Sequence, residues 1–574
     1  MKNMKRSLAT LMALCCMGSI AMSAAACGDN TGNSTSSSGG GTSVDLGTDI
    51  GGGTRSRISL DIMATNAGYG IDWIKAALDE FAKQDWVKEK YPRLTISNVD
   101  VGSIDSMKSQ LTASSNKYDL FISVHELNSQ LEKKVNGEYC VQDLSIVYDS
   151  NVPGENVTVK EKMLPSLANS QVIERNGEDI YAAMPWVNGT MGISYNETKL
   201  NALRAVNADI SMEMPRTTSE LLTMVQEVDE ALATTRKDNT DQAVLVPVNT
   251  RYENGMLNNW WAQYEGLAGY DNYWNGVDAK GDPSVEIFSQ QGRLEALTVL
   301  EGLLSEYGYG GDGSDVGRFQ NRFMMGWGVF MLNGDWLYNE LGGEEAVGEW
   351  SEVFNLRWLK APVVSAIVDK CEQVKTDAQL SFVVKCVDEG KDYAATKTAY
   401  AAASHGDLTE KDFNRIYEAR TLVDKMNGHA SYVPAYAEGK YVAMDFLRFL
   451  ATDKGNEIVM NKTKGMVTPY VGWGEKNYKV SESALSSYAP MLQDRIKQTM
   501  SSSVSLPDMY SYKTYYQGGL YPWTKYISPS VSLLATDAMD KASAQEIWQA
   551  DINYYTANDN AMYTSMMKRA GLLG

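Results

Sequence analysis

The residue best placed to hold a ligand is Trp336, within FQNRFMMGWGVFMLNGDWLYNEL (319–341). Gly328 to Leu332 has the length of a short buried strand. Asn333-Gly334 fits a turn, and Asp335 fits an N-cap opening a helix through Trp336, Leu337, Glu340 and Leu341. The same run ending in Asn-Gly would also serve as half of a hairpin. On the first reading Trp336 stands at the carboxyl end of a strand, the edge where open α/β sheets bind ligands. Taken alone, the stretch fits a core or lid aromatic more simply.

Bond-making chemistry finds little support. The chain has three histidines, His125, His405 and His429, none at HxH or HxxxH spacing, so no histidine metal site is expected. Asp271, Asp278 and Asp282 lack the ligand spacing of a calcium loop and read as a turn. No GxGxxG follows the first strand and no Walker loop occurs, so no nucleotide or other cofactor is expected. A glycosidase needs two carboxylates about 5–10 Å apart. Among 72 acidic residues no segment singles out such a pair.

The N-terminal stretch points to a compartment, and the charge bears on partners. Lys2, Lys5 and Arg6 precede an apolar stretch, Ser7 to Met22, and then Ala24-Ala25-Ala26 before Cys27, which reads as a secretory signal over 1–26. A cysteine directly after small residues resembles a bacterial lipobox, although Ala24 stands where Leu is usual; the resemblance implies that Cys27 is lipidated. Residues 27–57 are Gly, Ser, Thr, Asn and Asp with little to bury, a flexible tether. No later apolar run approaches the roughly 20 residues that span a bilayer. The expected place is the extracytoplasmic face of a bacterial membrane, held by lipid. A net charge of −20 argues against nucleic acid as a partner. Beyond Cys27 only Cys140, Cys371 and Cys386 remain, an odd number without CxxC spacing; one pair, Cys371 with Cys386, stays open.

The elements that must position these residues alternate. RISLDIM (57–63) is a strand, Trp73 to Phe81 an amphipathic helix, Leu94 to Val101 a strand, Ser103 to Leu111 a helix, and Tyr118 to Val124 an apolar strand. That order predicts a βαβαβ unit with a parallel sheet, an α/β fold. Asp179 to Leu200 carries two extended runs about Asn188-Gly189. Thr217 or Thr218 caps a helix with Glu220 in its first turn, and 241–250 reads as a strand ending in a polar loop. Residues 361–430 are helical in pattern, and Lys440 to Leu450 is strongly amphipathic. A chain of 574 residues exceeds one core and predicts two or more lobes.

These stretches, in order, resemble the bacterial extracellular solute-binding proteins of the maltose-binding type. The residues carrying the resemblance are ISLDIMATNAGYGIDWIKAALDEF, IYAAMPWVNGTMGISYNETKL, MPRTTSELL, FQNRFMMGWGVFMLNGDW and VAMDFLRFLATDKGNEIVMNKTKGMVTPY. They span most of 58–475. The resemblance implies a two-lobed periplasmic-binding-protein-like (type II) fold, hinged around a central cleft. Lobe 1 would hold 58–186 and 431–490, and lobe 2 would hold 187–430 and 491–574, with 361–430 a largely helical insertion longer than usual. It also implies a non-enzymatic monomer that passes a small solute, a mono- or oligosaccharide first, to ABC transporter permease subunits.

A saccharide site wants aromatic faces and fixed planar hydrogen-bonding groups. On the resemblance Trp336 becomes a cleft platform. Trp186 and Asn188 lie on the crossing strand, where binding and packing are both open. Asn249, Arg251 and Tyr252 follow a strand end, where binding and plain solvation are both open. Trp260 and Trp261 point about 100° apart on a helix, so one of them, taken as Trp261, would face the cleft. Tyr69, His125 and Glu126 follow strand ends of lobe 1. Trp523 matches only the general region of a C-terminal platform. A secreted glycan-acting enzyme and a sensor or adhesin on the same fold stand as alternatives.

Overall fold

The computed structural model describes residues 50–52, 57–235, 253–305, 307, 320, 323–326, 328–342, 354–423, 429–463, 466–470, 489–500, 504–506, 512–520 and 541–573. The signal, Cys27, Asn249, Arg251, Tyr252, Trp523 and the predicted strand over 241–250 lie outside the described residues.

The opening βαβαβ unit is present, with its first two strands each broken in two. Ile58–Leu60 pairs in parallel with Leu94–Ile96, and Ile62–Ala64 pairs in parallel with both Asp100–Val101 and Leu120–Ser123. The Leu120–Ser123 strand is buried along its whole length, as its nearly all-apolar sequence requires of a sheet covered on both faces. Helix Asp72–Phe81 buries Trp73, Ile74, Ala77, Leu78 and Phe81, the stripe its spacing predicts. Helix Ile104–Leu111 starts on Ser103, whose hydroxyl accepts the Ser106 N–H at 3.2 Å.

Two returning segments widen this sheet. Ala430–Tyr432 runs antiparallel beside Leu120–Ser123, and Met184–Pro185 antiparallel beside Ala430–Tyr432, giving five strands. Pro185 is tolerated because its strand is the edge, where a missing N–H breaks no ladder. Six residues later Met191–Asn196 is the middle of a separate three-stranded antiparallel sheet, between Phe330–Gly334 and Leu356–Leu359. The chain therefore passes from one sheet to the other within 184–196.

Each sheet carries its own core. Around the five-stranded sheet the apolar cluster runs from Ile58 through Trp73, Phe81, Tyr148 and Trp186 to Phe446 and Tyr470. Around the other it gathers Ile193, Trp260, Trp261, Tyr273, Phe288, Leu300 and Tyr555. Helix Thr218–Thr235 begins as predicted: the Thr217 hydroxyl accepts the Glu220 N–H at 3.2 Å, and the Glu220 carboxylate accepts the Arg216 N–H at 2.7 Å.

The 361–430 segment is helical, with Asp377–Asp388, Tyr393–Ala402 and Glu410–Thr421. It is not a free-standing appendage. Leu380, Val384, Tyr400 and Ile416 join the same cluster as Trp260 and Trp261. Asp412 accepts the Glu372 and Gln373 N–H groups, each at 2.7 Å, and so ties its helix to the preceding loop.

Three expectations change. Asn333-Gly334 is not a turn: the strand runs through it because Met191–Asn196 keeps offering ladder partners as far as Gly334. Ile50, inside the predicted tether, is 1% exposed, and Gly51 and Gly52 lie against the Tyr441 ring. Cys140, Cys371 and Cys386 are all free and buried, which closes the possibility of a Cys371–Cys386 pair. Among the described residues no helix is long and apolar enough to cross a membrane, and no cluster of His, Cys, Asp or Glu could hold a metal.

Candidate functional site

Two loops from different sheets meet at one point. The first follows Ile62–Ala64, where Gly68 (φ +59°) and Gly70 (φ +72°) adopt the left-handed backbone that lets the chain turn sharply and present Tyr69. The second follows Phe330–Gly334 and presents Asp335 and Trp336. The Tyr69 hydroxyl donates to Asp335 Oδ1, and a β-carbon on Gly68 would lie 3.6 Å from Trp336 Cβ. Glu340, one turn on, faces the Gly68 backbone and the Trp336 side chain.

Around Tyr69 stand three rings edge-on, Trp186 and Trp336 at near right angles and His429 at 67°. Its centroid is 6.0 Å from Trp186, 6.4 Å from Trp336 and 6.0 Å from His429. Such edge-to-face contacts are favoured because a positive ring edge meets a negative ring face. Trp186 is held from behind by Trp73, stacked at 5.1 Å, and by its own Nε1–H donating to the Ser123 carbonyl at 3.0 Å. Trp336 is held differently. Its indole folds back over Gly334, where any β-carbon would overlap the ring. Only glycine leaves that room.

The polar wall is Asp335 with Arg495. Arg495, on helix Pro490–Met500, donates Nε–H to Asp335 Oδ2 at 2.8 Å, Nη1–H to Gln498 Oε1 at 3.0 Å and Nη2–H to the Asn188 carbonyl at 3.1 Å. Gln498 Oε1 also accepts Trp358 Nε1–H at 2.8 Å, and Asp494 chelates Arg357 at 2.7 and 2.8 Å. The helix is thus fixed to the three-stranded sheet on one side and to the crossing segment on the other. Burial pushes the Asp335 carboxyl above its ordinary range, against the pull of Arg495 and of the Tyr69 and Thr190 contacts. Burial and the neighbouring carboxylate push the Tyr69 phenol well up, so it remains a donor.

Asp335 does not cap the following helix. Its carboxylate is engaged by Arg495 and Tyr69, and Trp336, without a side-chain cap, takes the N-cap position of Leu337–Glu340.

Of the residues singled out from sequence, the structure brings Tyr69, Trp186, Asn188 and Trp336 together. Trp261 lies elsewhere: it is fully buried, 4.5 Å from the Tyr273 ring and 5.0 Å from Tyr270, with Nε1–H on Gln290 Oε1 at 2.7 Å. Trp260 is equally buried, donating to the Pro362 carbonyl at 3.1 Å. Neither tryptophan of that pair faces the ring cluster; the helix carrying them is apolar on more than one side and sits inside its core. His125 is exposed just beyond Ser123, and its carbonyl accepts the Ser123 hydroxyl at 2.5 Å. Glu126 is half-buried, with its carboxyl pushed up to about 7 by burial and drawn down by Lys108. Sequence reasoning missed Asp335 as a polar wall, Arg495 and His429. Arg495 carried a faint signal, a lone arginine between Leu492, Ile496 and other buried positions of one helix.

Two sheets, each with its own core, joined by a crossing segment and meeting at their strand ends, form a known architecture. The fold is that of the two-lobed extracellular solute-binding proteins. One similar structure is a probable secreted solute-binding lipoprotein from Streptomyces coelicolor, with 13% identity and a TM-score of 0.51 over 87% of this chain and 98% of that one. Another is the GacH receptor of Streptomyces glaucescens, with 15% identity and a TM-score of 0.50 over 87% and 98%. A third is the cyclic alpha-maltosyl-1,6-maltose binding protein of Arthrobacter globiformis, with 15% identity and a TM-score of 0.50 over 87% and 100%. No family model and no curated protein matches the sequence.

Proposed function

We propose that this chain captures a mono- or oligosaccharide between two closing lobes and delivers it to the permease of an ABC importer, without chemical conversion. The observation that carries the proposal is the composition of the meeting point. Two tryptophans, Trp186 backed by Trp73 and Trp336 seated on Gly334, offer apolar faces, and a buried carboxylate–guanidinium pair beside them offers oriented acceptors and donors. Saccharides present the complementary surfaces, C–H faces and hydroxyl edges. The similar GacH receptor is described in complex with acarbose, and the Arthrobacter protein as a cyclic alpha-maltosyl-1,6-maltose binding protein, which supports the class of solute.

In this reading lobe 1 is 58–186 with 431–490 and lobe 2 is 187–430 with 491–574, hinged where 184–196 changes sheets. Trp336, Trp186 and Asn188 line the cleft, joined by Asp335 and Arg495. Lipidated Cys27 keeps the protein at the outer face of the membrane while the tether lets it diffuse to the permease.

The test is a thermal-shift and calorimetric screen of residues 28–574 against linear and branched glycans, since a cleft binder gains RT ln(1 + [L]/Kd) of stability. Stabilisation by a saccharide, which is recovered unaltered, is expected. Stabilisation by a peptide or polyamine alone overturns the saccharide assignment, and release of glycan products overturns the binding role.

A further inference from the structure

The Tyr69 phenol sits where a ligand of the proposed class would sit. It is a six-membered ring carrying one hydroxyl, the footprint of a pyranose unit. Its ring is bounded by Trp186, Trp336 and His429 at 6.0–6.4 Å, and its hydroxyl donates to Asp335. It is 5% exposed, so the contact is shut off from water. Tyr69 belongs to the loop after Ile62–Ala64 of the five-stranded sheet, whereas Asp335 and Trp336 follow Phe330–Gly334 of the other sheet. The contact therefore joins the two halves.

We propose that Tyr69 is a built-in placeholder: a saccharide enters by displacing the Tyr69 ring from between Trp186 and Trp336, and one sugar hydroxyl replaces the Tyr69 hydroxyl on Asp335. The choice of ligand class rests on the function proposed above; the placeholder itself rests only on the contact. Arg495 makes the exchange workable. It holds Asp335 by Oδ2, at 2.8 Å, while Tyr69 donates to the other oxygen, Oδ1, so the exchange leaves the Arg495 bond untouched and Oδ1 aimed at the cleft as an acceptor. A buried carboxylate left with one empty oxygen is costly, so the halves stay shut on Tyr69 until another hydroxyl arrives. The apparent affinity is then the intrinsic one reduced by the fraction of molecules in which Tyr69 has swung out. This arrangement discriminates against solutes that offer an apolar face without a hydroxyl donor, because they cannot satisfy Asp335 once Tyr69 has left.

The test compares wild type with Tyr69→Phe, which keeps the ring and removes the donor. Tyr91→Phe is the control, because Tyr91 donates to a buried carboxylate, Asp445, at 2.6 Å within a single core. Small-angle scattering and hydrogen exchange at residues 66–71 and 335–341 are recorded first without ligand. Tyr69→Phe should populate more open molecules and exchange faster in both segments, and Tyr91→Phe should do neither. Calorimetric titration with maltotriose, raffinose and xylotriose follows. Any of these that binds wild type should bind Tyr69→Phe about tenfold more tightly, the order expected for removing a hydrogen bond to a charged group from the closed state. If Tyr69→Phe is no more open and binds a saccharide no more tightly than wild type, the placeholder is overturned while the saccharide role stands. If it opens but neither form binds any saccharide, Tyr69 stands only as a latch between the halves, and its displacement by a saccharide falls together with the saccharide role.

Discussion

Arg495 and Asp335 form an ion pair at 2.8 Å across 160 residues of sequence, with side chains 2% and 0% exposed. Removing one partner of such a pair strands the other charge out of water. Arg495→Met, close to isosteric with the aliphatic stem, should cost about 3–5 kcal/mol at neutral pH. The loss should be pH-dependent. Burial already pushes the Asp335 carboxyl up, and without Arg495 it rises further. Above that native value the full cost applies; as pH falls toward the unfolded value of about 4, protonation relieves it. Urea melts at several pH values should show the gap from wild type narrowing under acid conditions, and a constant gap would refute the assignment.

Trp336→Ala should weaken saccharide binding at least about tenfold, measured by calorimetry, because it removes an aromatic face on the order of 1 kcal/mol beyond its buried area. The far-ultraviolet circular dichroism should stay that of wild type, since Trp336 lies at the end of its strand and not within the ladder. Unchanged affinity would reduce Trp336 to a packing residue.

Glu126 gives a stability slope of opposite use. Its carboxyl, at about 7 in the folded chain, keeps a proton that an unfolded glutamate loses near 4.3. The folded state thus binds more protons between those values, and its contribution to stability falls as pH rises through that window. Asp119, pushed up to about 6 by burial, acts in the same direction. Glu126→Gln cannot titrate. Its melting temperature should drop less than that of wild type between about pH 5 and pH 8, and equal drops would show that Glu126 is solvated.

Thiol chemistry checks the core. Burial pushes Cys140 up to about 11 and Cys371 up to about 12, and raises Cys386 as well. Neither thiolate character nor access is available, so residues 28–574 should show no reaction with Ellman's reagent when folded and three thiols in denaturant. A native reaction at one cysteine would mean that its surroundings open readily.

Periodicity located the scaffold well because it is set by local burial. The Trp73 to Phe81 stripe and the Thr217–Glu220 helix start are where their spacing put them, and 361–430 is helical as its pattern suggests. The helix expected from Glu410 to Met426, however, stops at Thr421, after which Leu422–Val423 pairs as a strand. Strand length was less legible. Asn333-Gly334 looks like a turn until a partner strand from residues 191–196 extends the ladder over it. The candidate site was half legible for the same reason. Tyr69, Trp186 and Trp336 stand at strand ends that local pattern reveals, whereas Arg495 reaches them only through tertiary packing. Trp261 misled because adjacent tryptophans on a helix carry no mark that separates a cleft face from a core face.

The indole of Trp336 rests on the bare backbone of Gly334, in room that no side chain could share. An indole seated in this way and only 4% exposed is enclosed by its neighbours. Most aromatic binding surfaces surrender rotamer freedom when a guest arrives, at about 0.5–1.5 kcal/mol per immobilised side chain. Here that freedom is already gone before the encounter, surrendered during folding. In the function proposed above, recognition at this tryptophan would be purchased with a missing methyl group two residues upstream, and position 334 is closed to every amino acid but one for as long as the indole keeps its seat.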